Sequence, residues 1–304
     1  MTNQIPEARI GSIGGSNRWG QPFPGVLGRD DIRVIERYSA IDTPFGQVGP
    51  FKLIEVCGES VLHVRMHGMY LEDRVVPPWV AAKGVAWVFQ QAGARYVFGD
   101  GSVGGIQDFQ GNPLEPWSAV VMSDYKRSGM LIPNSIPPAG ISRTNKAFYH
   151  RMAAPFCSCL RQKLVEAARQ QPEFRVVQDG GIYLCTGWGE FESVFEIDKA
   201  REEGCTIVGQ TIAYEAIALR EIAADGGEPI HFAAMCVVSN NAENGGVWIG
   251  DSPDAMRKFY EQCPLPTSRA VIGAIDSLIR EGIDGCLCGN FAITGFGIFP
   301  HEDA

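Results

Sequence analysis

The chain has 304 residues, of which 45% are hydrophobic and 20% charged, a composition ordinary for a globular protein of one large domain or two small ones. A net charge of −9 argues against a general nucleic-acid binder, and no apolar run is long enough to span a membrane. The first residues lack the basic and apolar regions of a secretory signal, so we expect a soluble, cytoplasmic protein with no membrane or nucleic-acid partner.

Apolar runs of strand length alternate with longer runs of helical periodicity. Strands are predicted at 9–13, 51–56, 60–65, 94–98, 174–178, 182–186, 206–209 and 232–238, with a hairpin joining the second and third. Helices are predicted at 80–92, 156–169, 194–203, 213–224 and 268–281. This alternation predicts an α/β fold with a central mixed, mostly parallel, twisted β-sheet flanked by helices. Gly and Pro are spread along the chain, which favours a single domain over residues 1–304.

In such sheets ligands bind where strands end, and several polar motifs fall at predicted strand ends. Gly14-Gly15-Ser16 follows the first strand and is either a plain turn or a phosphate cradle with exposed amides. Arg65 and His67 end another strand on one side of it, a pairing that suits a bound phosphate. The alternative is a surface arginine and a satisfied histidine.

Three further strand ends carry polar groups. A glycine-rich segment at 99–104 is either an anion-binding loop or only a loop, and Asp100 within it would repel phosphate. Thr211 precedes a helix, where it is a helix cap, a ligand contact or both. Asn240 belongs to a Ser-Asn-Asn segment that forms a turn or reads a ligand through its amides.

The segment before the helix at 194–203 contains Phe191, Glu192 and Ser193. Ser193 with Glu196 three residues later predicts a capping box, which leaves Glu192 for ligand recognition or solvent.

Nine cysteines, an odd number, argue against a secreted disulfide framework. Two C-x-C pairs occur, Cys157 with Cys159 and Cys286 with Cys288. Neither has partner residues at zinc-site spacing, so we expect no metal, and we interpret the cysteines as reduced and inert, with a redox role for Cys286 and Cys288 as the alternative.

The order of these motifs resembles the trimeric class of purine nucleoside phosphorylases, and most closely the 5′-methylthioadenosine and S-methyl-5′-thioinosine phosphorylases. The matching segments are Ile13-Gly-Gly-Ser16, Asp42-Thr-Pro-Phe-Gly46, Val64-Arg-Met-His-Gly68, Met152-Ala-Ala-Pro-Phe-Cys157, Phe191-Glu-Ser193, Val208-Gly-Gln-Thr-Ile-Ala-Tyr-Glu215 and the strand ending at Asn240. The match is poor from about residue 250 onward.

The resemblance implies an enzyme, a pentosyltransferase, that uses inorganic phosphate as co-substrate and needs no cofactor. Phosphate would attack the anomeric carbon of a purine nucleoside and give a free purine and a sugar 1-phosphate. The residues implied to bind phosphate are Ser16, Arg65, His67, Gly99 and Thr211. Those implied to bind the nucleoside are Phe191, Glu192, Gln210 and Asn240, with Tyr149 and His150 reaching a neighbouring subunit in a homotrimer. Arg65, His67 and Asn240 are the implied catalytic residues.

The base-recognition pair differs within this family. Enzymes that cleave adenine nucleosides usually have Asp where this chain has Asn240. Glu192 with Asn240 resembles the branch that acts on 6-oxopurines, so a 5′-thio or 5′-deoxy 6-oxopurine nucleoside would reconcile the two resemblances. Gln210 replaces a Met that packs on the ribose, and Asp100 adds negative charge. A hydrolase on the same scaffold and a non-catalytic nucleoside-binding protein are the alternatives.

Overall fold

A computed structural model describes residues 5–128, 148–226, 228–242, 252–289 and 296–297. The helices in these ranges are α1 (Pro78–Gln91), α2 (Ser158–Arg169), α3 (Val194–Glu202), α4 (Ile212–Gly226), α5 (Pro253–Gln262) and α6 (Pro264–Glu281). The strands are β1 (Ile10–Gly14), β2 (Ile32–Tyr38), β3 (Ile41–Thr43), β4 (Gly46–Val48), β5 (Phe51–Val56), β6 (Glu59–Arg65), β7 (Met69–Tyr70), β8 (Val75–Val76), β9 (Tyr96–Gly105), β10 (Ser118–Val121), β11 (Asp124–Arg127), β12 (Phe148–Tyr149), β13 (Val176–Asp179), β14 (Ile182–Cys185), β15 (Ile207–Gly209), β16 (His231–Asn241) and β17 (Phe296–Gly297).

Eleven strands form one mixed sheet, and most of its pairings are parallel, as predicted. The central order is β11-β14-β15-β9-β1-β6-β5-β2, and β16 pairs with both β9 and β10. The predicted hairpin is present as the antiparallel pair β5 and β6. Strands β1, β6, β9 and β16 run parallel to one another, whereas β15 runs antiparallel to β9 and β14 runs parallel to β15.

Strand β9 continues through the glycine-rich segment for which we predicted a loop. Its first half pairs with β1, its end pairs with β15, and β16 runs alongside from Tyr96 to Gly105. The glycines are required by close packing: a Cβ at Gly99 would lie 3.0 Å from the Phe232 ring, and one at Gly105 would lie 2.2 Å from the Leu114 carbonyl oxygen. The sequence pattern of a flexible loop therefore belongs to a crowded central strand.

Strand β16 likewise extends through Asn241, where a turn was one of the predicted alternatives. The register with β9 shifts between Val238 and Asn240, so the strand carries a bulge at Ser239. A bulge redirects neighbouring side chains without ending the strand.

Helices cover both faces of the sheet. Helices α1 and α4 pack together over one apolar cluster, and α2 and α6 pack together over another. Ser193 and Glu196 form the predicted capping box at the start of α3. Helix α5, which we did not predict, begins at the Ser252 cap and packs against the loop after β1. None of the described helices has both the length and the apolar character needed to cross a membrane.

Candidate active site

The segments that follow β1, β6 and β14 contact one another, the middle of β9 or the start of α4. A Cβ at Gly15 would lie 2.2 Å from the Asp100 carbonyl oxygen, and one at Gly101 would lie 3.5 Å from the Ile212 side chain at the start of α4. A Cβ at Gly68 would lie 2.9 Å from the Trp188 ring. The loops after β1, β6 and β14, the middle of β9 and the amino end of α4 therefore surround one region.

Ser16 lies at the start of a short 3-10 helix, Ser16–Arg18, and is buried. Its hydroxyl is 2.5 Å from the hydroxyl of Ser102, which in turn lies 3.2 Å from the hydroxyl of Tyr260 in α5. These three hydroxyl groups connect the loop after β1, called the first loop below, to β9 and α5. Sequence reasoning missed Ser102 and Tyr260, because their hydroxyl groups join Ser16 only through the fold.

Asp100 forms a buried ion pair with Arg18, and its Oδ1 accepts a hydrogen bond from the Gly15 backbone N–H at 3.2 Å. Burial raises the pKa of this carboxyl, while the Arg18 guanidinium opposes that rise. The sequence predicted a carboxylate that would repel phosphate. Arg18, which no sequence pattern singled out, compensates the charge, but the Gly15 amide that we expected to be exposed is bound to the carboxylate.

Arg65, at the end of β6, turns its guanidinium towards the loop after β1. Its Nη2 donates to the backbone carbonyls of Arg18, Trp19 and Gln21 at 3.0, 3.3 and 2.8 Å. An arginine has five N–H donors, so these three contacts through one nitrogen occupy only part of the guanidinium. Arg65 therefore orders the first loop.

His67 follows Arg65 by two residues, and its ring meets the edge of Trp19 with centroids 5.4 Å apart. Burial lowers the pKa of His67, so the imidazole is neutral near pH 7 and offers a single N–H donor. Within the described ranges, no hydrogen bond or ion pair joins Ser16, Arg65, His67 and Thr211 to one another. The segments that carry them lie around the same region.

Gly99 was implied to offer an amide to phosphate. It lies inside β9, in register with Ile13 of β1 and Ala234 of β16. That placement corrects the expectation of a loop amide, because a residue between two paired strands directs its N–H towards one of them.

Thr211 directly precedes α4 and is buried. Its backbone N–H donates to the Tyr183 hydroxyl at 3.0 Å, and its carbonyl accepts from Tyr214 and Glu215. No hydrogen bond joins its own hydroxyl to another residue in the described part of the chain. The positive end of a helix dipole favours an anion at this position.

Glu192 and Gln210 belong to one connected polar group. The Thr186 hydroxyl donates to the Glu192 carboxylate, the Thr186 backbone N–H donates to the Gly209 carbonyl at 3.0 Å, and Gln210 Nε2 donates to the Glu190 carbonyl at 2.6 Å. Burial raises the pKa of Glu192, and the Thr186 hydrogen bond opposes this. No sequence pattern had indicated Thr186.

Asn240 is buried near the end of β16. Its amide Nδ2 donates to the Asn241 carbonyl at 3.0 Å, and its Oδ1 accepts from the Ser239 hydroxyl at 2.7 Å. Both contacts are local and fix the plane of the amide. Phe191, in contrast, has a side chain 72% exposed, so in the isolated chain it has space for a ligand or a partner subunit beside it.

The two residues implied to reach a neighbouring subunit precede α2. The Tyr149 backbone pairs with β17, but its side chain lies outside the described residues. His150 is half-buried, and burial followed by the charge of Arg220 lowers its pKa to about 4.

Glu215, in the first turn of α4, is a further buried acid near Asp100. Burial and the Asp100 charge raise its pKa well above the ordinary value, and its Oε2 has no hydrogen-bond partner among the described residues. A neutral carboxyl group is the form that this position favours.

A second cluster lies at the opposite end of β16. Sequence spacing gave the two C-x-C pairs no partners, yet the fold brings Cys157, His231, Cys286 and Cys288 together with their ligand atoms within 4.8 Å of one another. We expected no metal because neither C-x-C pair had partner residues at zinc-site spacing. The fold supplies those partners from distant parts of the chain.

Residues 25–263 match the phosphorylase superfamily. The chain therefore belongs to this superfamily, as its motifs predicted, and is an enzyme of the pentosyltransferase class. A relative from Methanothermobacter thermautotrophicus, described as a probable S-methyl-5′-thioinosine phosphorylase, is 25% identical over 97% of this chain and 92% of its own.

Two further comparisons agree with the fold and the family. A probable 6-oxopurine nucleoside phosphorylase of Korarchaeum cryptofilum is 29% identical over 77% of this chain and 80% of its own. The crystal structure of a methylthioadenosine phosphorylase from an antarctic soil metagenomic library superimposes with a TM-score of 0.78 and 19% identity, over 97% of this chain and 94% of that one.

Proposed function

We propose that the protein catalyses the phosphorolysis of a 5′-modified purine nucleoside, of the 5′-methylthio or 5′-deoxy type. An oxygen of inorganic phosphate forms a bond to the anomeric carbon as the bond from that carbon to the purine nitrogen breaks. The products are a sugar 1-phosphate and a free purine, which takes up a proton.

The observation that carries this proposal is the meeting of the first loop, β9 and the amino end of α4. The Gly15 and Asp100 segments are in backbone contact, and Ile212 lies over Gly101. The Thr211 hydroxyl and the helix dipole favour an anion here, and the Ser16 hydroxyl adds a donor on the first loop. The remaining N–H groups of Arg65 and the neutral His67 supply further donors from the loop after β6.

The purine side of the proposal rests on Glu192 and Asn240. A carboxylate accepts the ring N–H of a 6-oxopurine, and an amide both donates and accepts along the purine edge. Asn240 has no acidic proton for an adenine, so 6-oxopurine nucleosides are the proposed substrates. The relatives include probable S-methyl-5′-thioinosine and 6-oxopurine nucleoside phosphorylases, which supports this choice, alongside S-methyl-5′-thioadenosine phosphorylases.

Hydrolysis is the second candidate, and one observation favours it. Asp100 accepts the Gly15 N–H that a phosphate in the first loop would otherwise use. If phosphate is excluded there, water would take its place as the nucleophile.

The test compares base release from 5′-methylthioinosine, inosine and 5′-methylthioadenosine, with and without phosphate, while sugar 1-phosphate is measured separately. Phosphorolysis predicts release only with phosphate, one sugar 1-phosphate per base, and fastest turnover of 5′-methylthioinosine. Equal release without phosphate would support hydrolysis and contradict the proposal.

We further propose that the enzyme is a homotrimer in which the segment around Tyr149 and His150 completes a neighbouring site. Light scattering on the purified protein measures this directly. A monomer with full activity would contradict it.

A further inference from the structure

The chain has a second constellation of reactive side chains, which the nucleoside reaction does not use. Cys157 immediately precedes α2, His231 begins β16, and Cys286 and Cys288 follow α6. Their ligand atoms all lie within 4.8 Å of one another. The His231 Nδ1 is 3.5 Å from the Cys157 sulfur and 3.2 Å from the Cys286 sulfur.

These spacings are close to those of a tetrahedral metal site. With bonds of about 2.3 Å to sulfur and about 2.0 Å to nitrogen, the ligand atoms of a zinc site lie roughly 3.5–3.8 Å apart. Only small side-chain movements separate the observed cluster from that geometry. A single disulfide would use two of the three sulfurs and would leave the third thiol and the imidazole without a role.

Two of the four groups are held by the core of the protein. The Cys157 backbone N–H donates to the Phe232 carbonyl at 2.7 Å, which fixes it beside His231. The His231 ring stacks on Tyr96 with centroids 5.3 Å apart, and its backbone N–H donates to the Arg95 carbonyl at 2.7 Å. Such fixed ligands lower the cost of ordering a metal site.

The surroundings suit the charge of a metal-thiolate centre. Three thiolates and one divalent cation carry a net charge of −1. Arg220 is buried, donates to the carbonyls of Arg151 and Ala154, and interacts electrostatically with Cys157 and Cys288. Its positive charge offsets that of the centre, and the burial of Cys157 and Cys288 excludes water.

We propose that Cys157, His231, Cys286 and Cys288 bind one zinc ion in a structural Cys3His site. Each thiol loses its proton to solvent as its sulfur binds the metal, and His231 binds through the lone pair of Nδ1. Soft thiolates with one imidazole in a tetrahedral arrangement select zinc over calcium or magnesium. Four protein ligands leave no open position, so the ion is structural.

The ion ties the segment after α6 to the start of α2 and the start of β16. It is remote from the nucleoside site, because His231 begins β16 and Asn240 lies near its other end. At about 3.3 Å per residue the two are roughly 30 Å apart. The zinc proposal can therefore be tested independently of the proposed reaction.

The first measurement is the zinc content of the tag-free full chain, purified under reducing conditions without chelator. We expect about one zinc per chain in the wild type. The zinc content of the Cys286→Ser/Cys288→Ser variant should be lower than that of the wild type by about tenfold or more. Cys159→Ser is the matched control, because Cys159 shares a C-x-C pair with Cys157 but its sulfur contacts the Asp284 carbonyl, and it should keep its zinc.

Two further readouts do not depend on the stability of a variant. Cobalt loaded into the chelator-treated wild type should give thiolate charge-transfer bands and the intense visible bands of tetrahedral cobalt. Returning zinc should raise the Tm by about 5 °C or more. A wild-type chain without metal whose Tm does not respond to zinc, or a Cys286–Cys288 disulfide under the same reducing conditions, would overturn the proposal.

Discussion

Arg18 and Asp100 form an ion pair in which the two side chains are 1% and 0% exposed, and it joins the short helix that carries Ser16 to β9. The same Asp100 carboxylate accepts the Gly15 N–H, so the pair connects the end of β1 to the middle of β9. A buried charge of either sign is costly without its partner. This pair therefore holds the loop after β1 against the middle of β9.

Replacing Asp100 by Asn should destabilise the fold strongly. The amide keeps an acceptor for the Gly15 N–H, but Arg18 is left buried and uncompensated, which costs about 3 kcal/mol. Urea denaturation measures the loss. Adding Arg18→Met to Asp100→Asn should restore much of it, whereas Glu55→Gln, which breaks an exposed pair with Arg33, should leave the midpoint nearly unchanged. If Asp100→Asn alone were as stable as the wild type, the ion pair would contribute little to stability.

Arg65→Ala should lower phosphate-dependent turnover at least about tenfold, since a charged contact to the transition state is lost. Steady-state kinetics at varied phosphate measure this, and Arg33→Ala, an exposed arginine of β2 in the same sheet, is the matched control. Because Arg65 also holds the carbonyls of the first loop, Arg65→Lys separates the roles: charge is kept and the planar fork is lost. Unchanged kinetics in Arg65→Ala would remove it from the site.

Asn240→Asp should change the preferred base. A carboxylic acid can donate a proton to an adenine, so we expect the ratio of 5′-methylthioadenosine to 5′-methylthioinosine turnover to rise by about tenfold or more. Asn240→Ala removes the amide without adding an acid, and it should slow 5′-methylthioinosine turnover without any gain on 5′-methylthioadenosine. An unaltered ratio in Asn240→Asp would contradict a role in base recognition.

Glu215 should make the stability of the protein depend on pH. Its folded-state pKa is raised, so its contribution to stability is complete below the ordinary carboxyl pKa and is lost as pH rises towards the folded value. Glu215→Gln replaces the titratable carboxyl group by an amide that does not titrate. The variant should therefore lose less stability than the wild type between about pH 5 and pH 9. Urea midpoints across that range test the sign. Parallel curves for the two proteins would show that Glu215 does not titrate in this way.

Local sequence signals predicted the elements that depend on near neighbours. The hairpin of β5 and β6, the capping box of Ser193 and Glu196, and the alternation of strands with helices all follow from residues a few positions apart. The motif order from Ile13 to Asn240 was likewise sufficient to identify the superfamily, which the match over residues 25–263 confirms.

The glycines of β9 show where such signals fail. In sequence they are indistinguishable from a loop, and only the side chains packed against them, such as Phe232, show that they form a central strand. Helix α5 was missed for a different reason: local signals are present in its Ser252 cap and the proline that follows, but we did not predict a helix from them.

The sequence alone determined that this protein is an α/β enzyme of the phosphorylase superfamily, because periodicity, caps and motif order are written in short stretches of the chain. Only the tertiary structure decided which groups meet: Arg18 with Asp100, Ser16 with Ser102, and Cys157 with His231 and Cys286. Those partners are tens to more than a hundred residues apart, and charge compensation, hydrogen bonding and metal coordination act over a few ångströms. No local pattern can predict such contacts before the chain has folded.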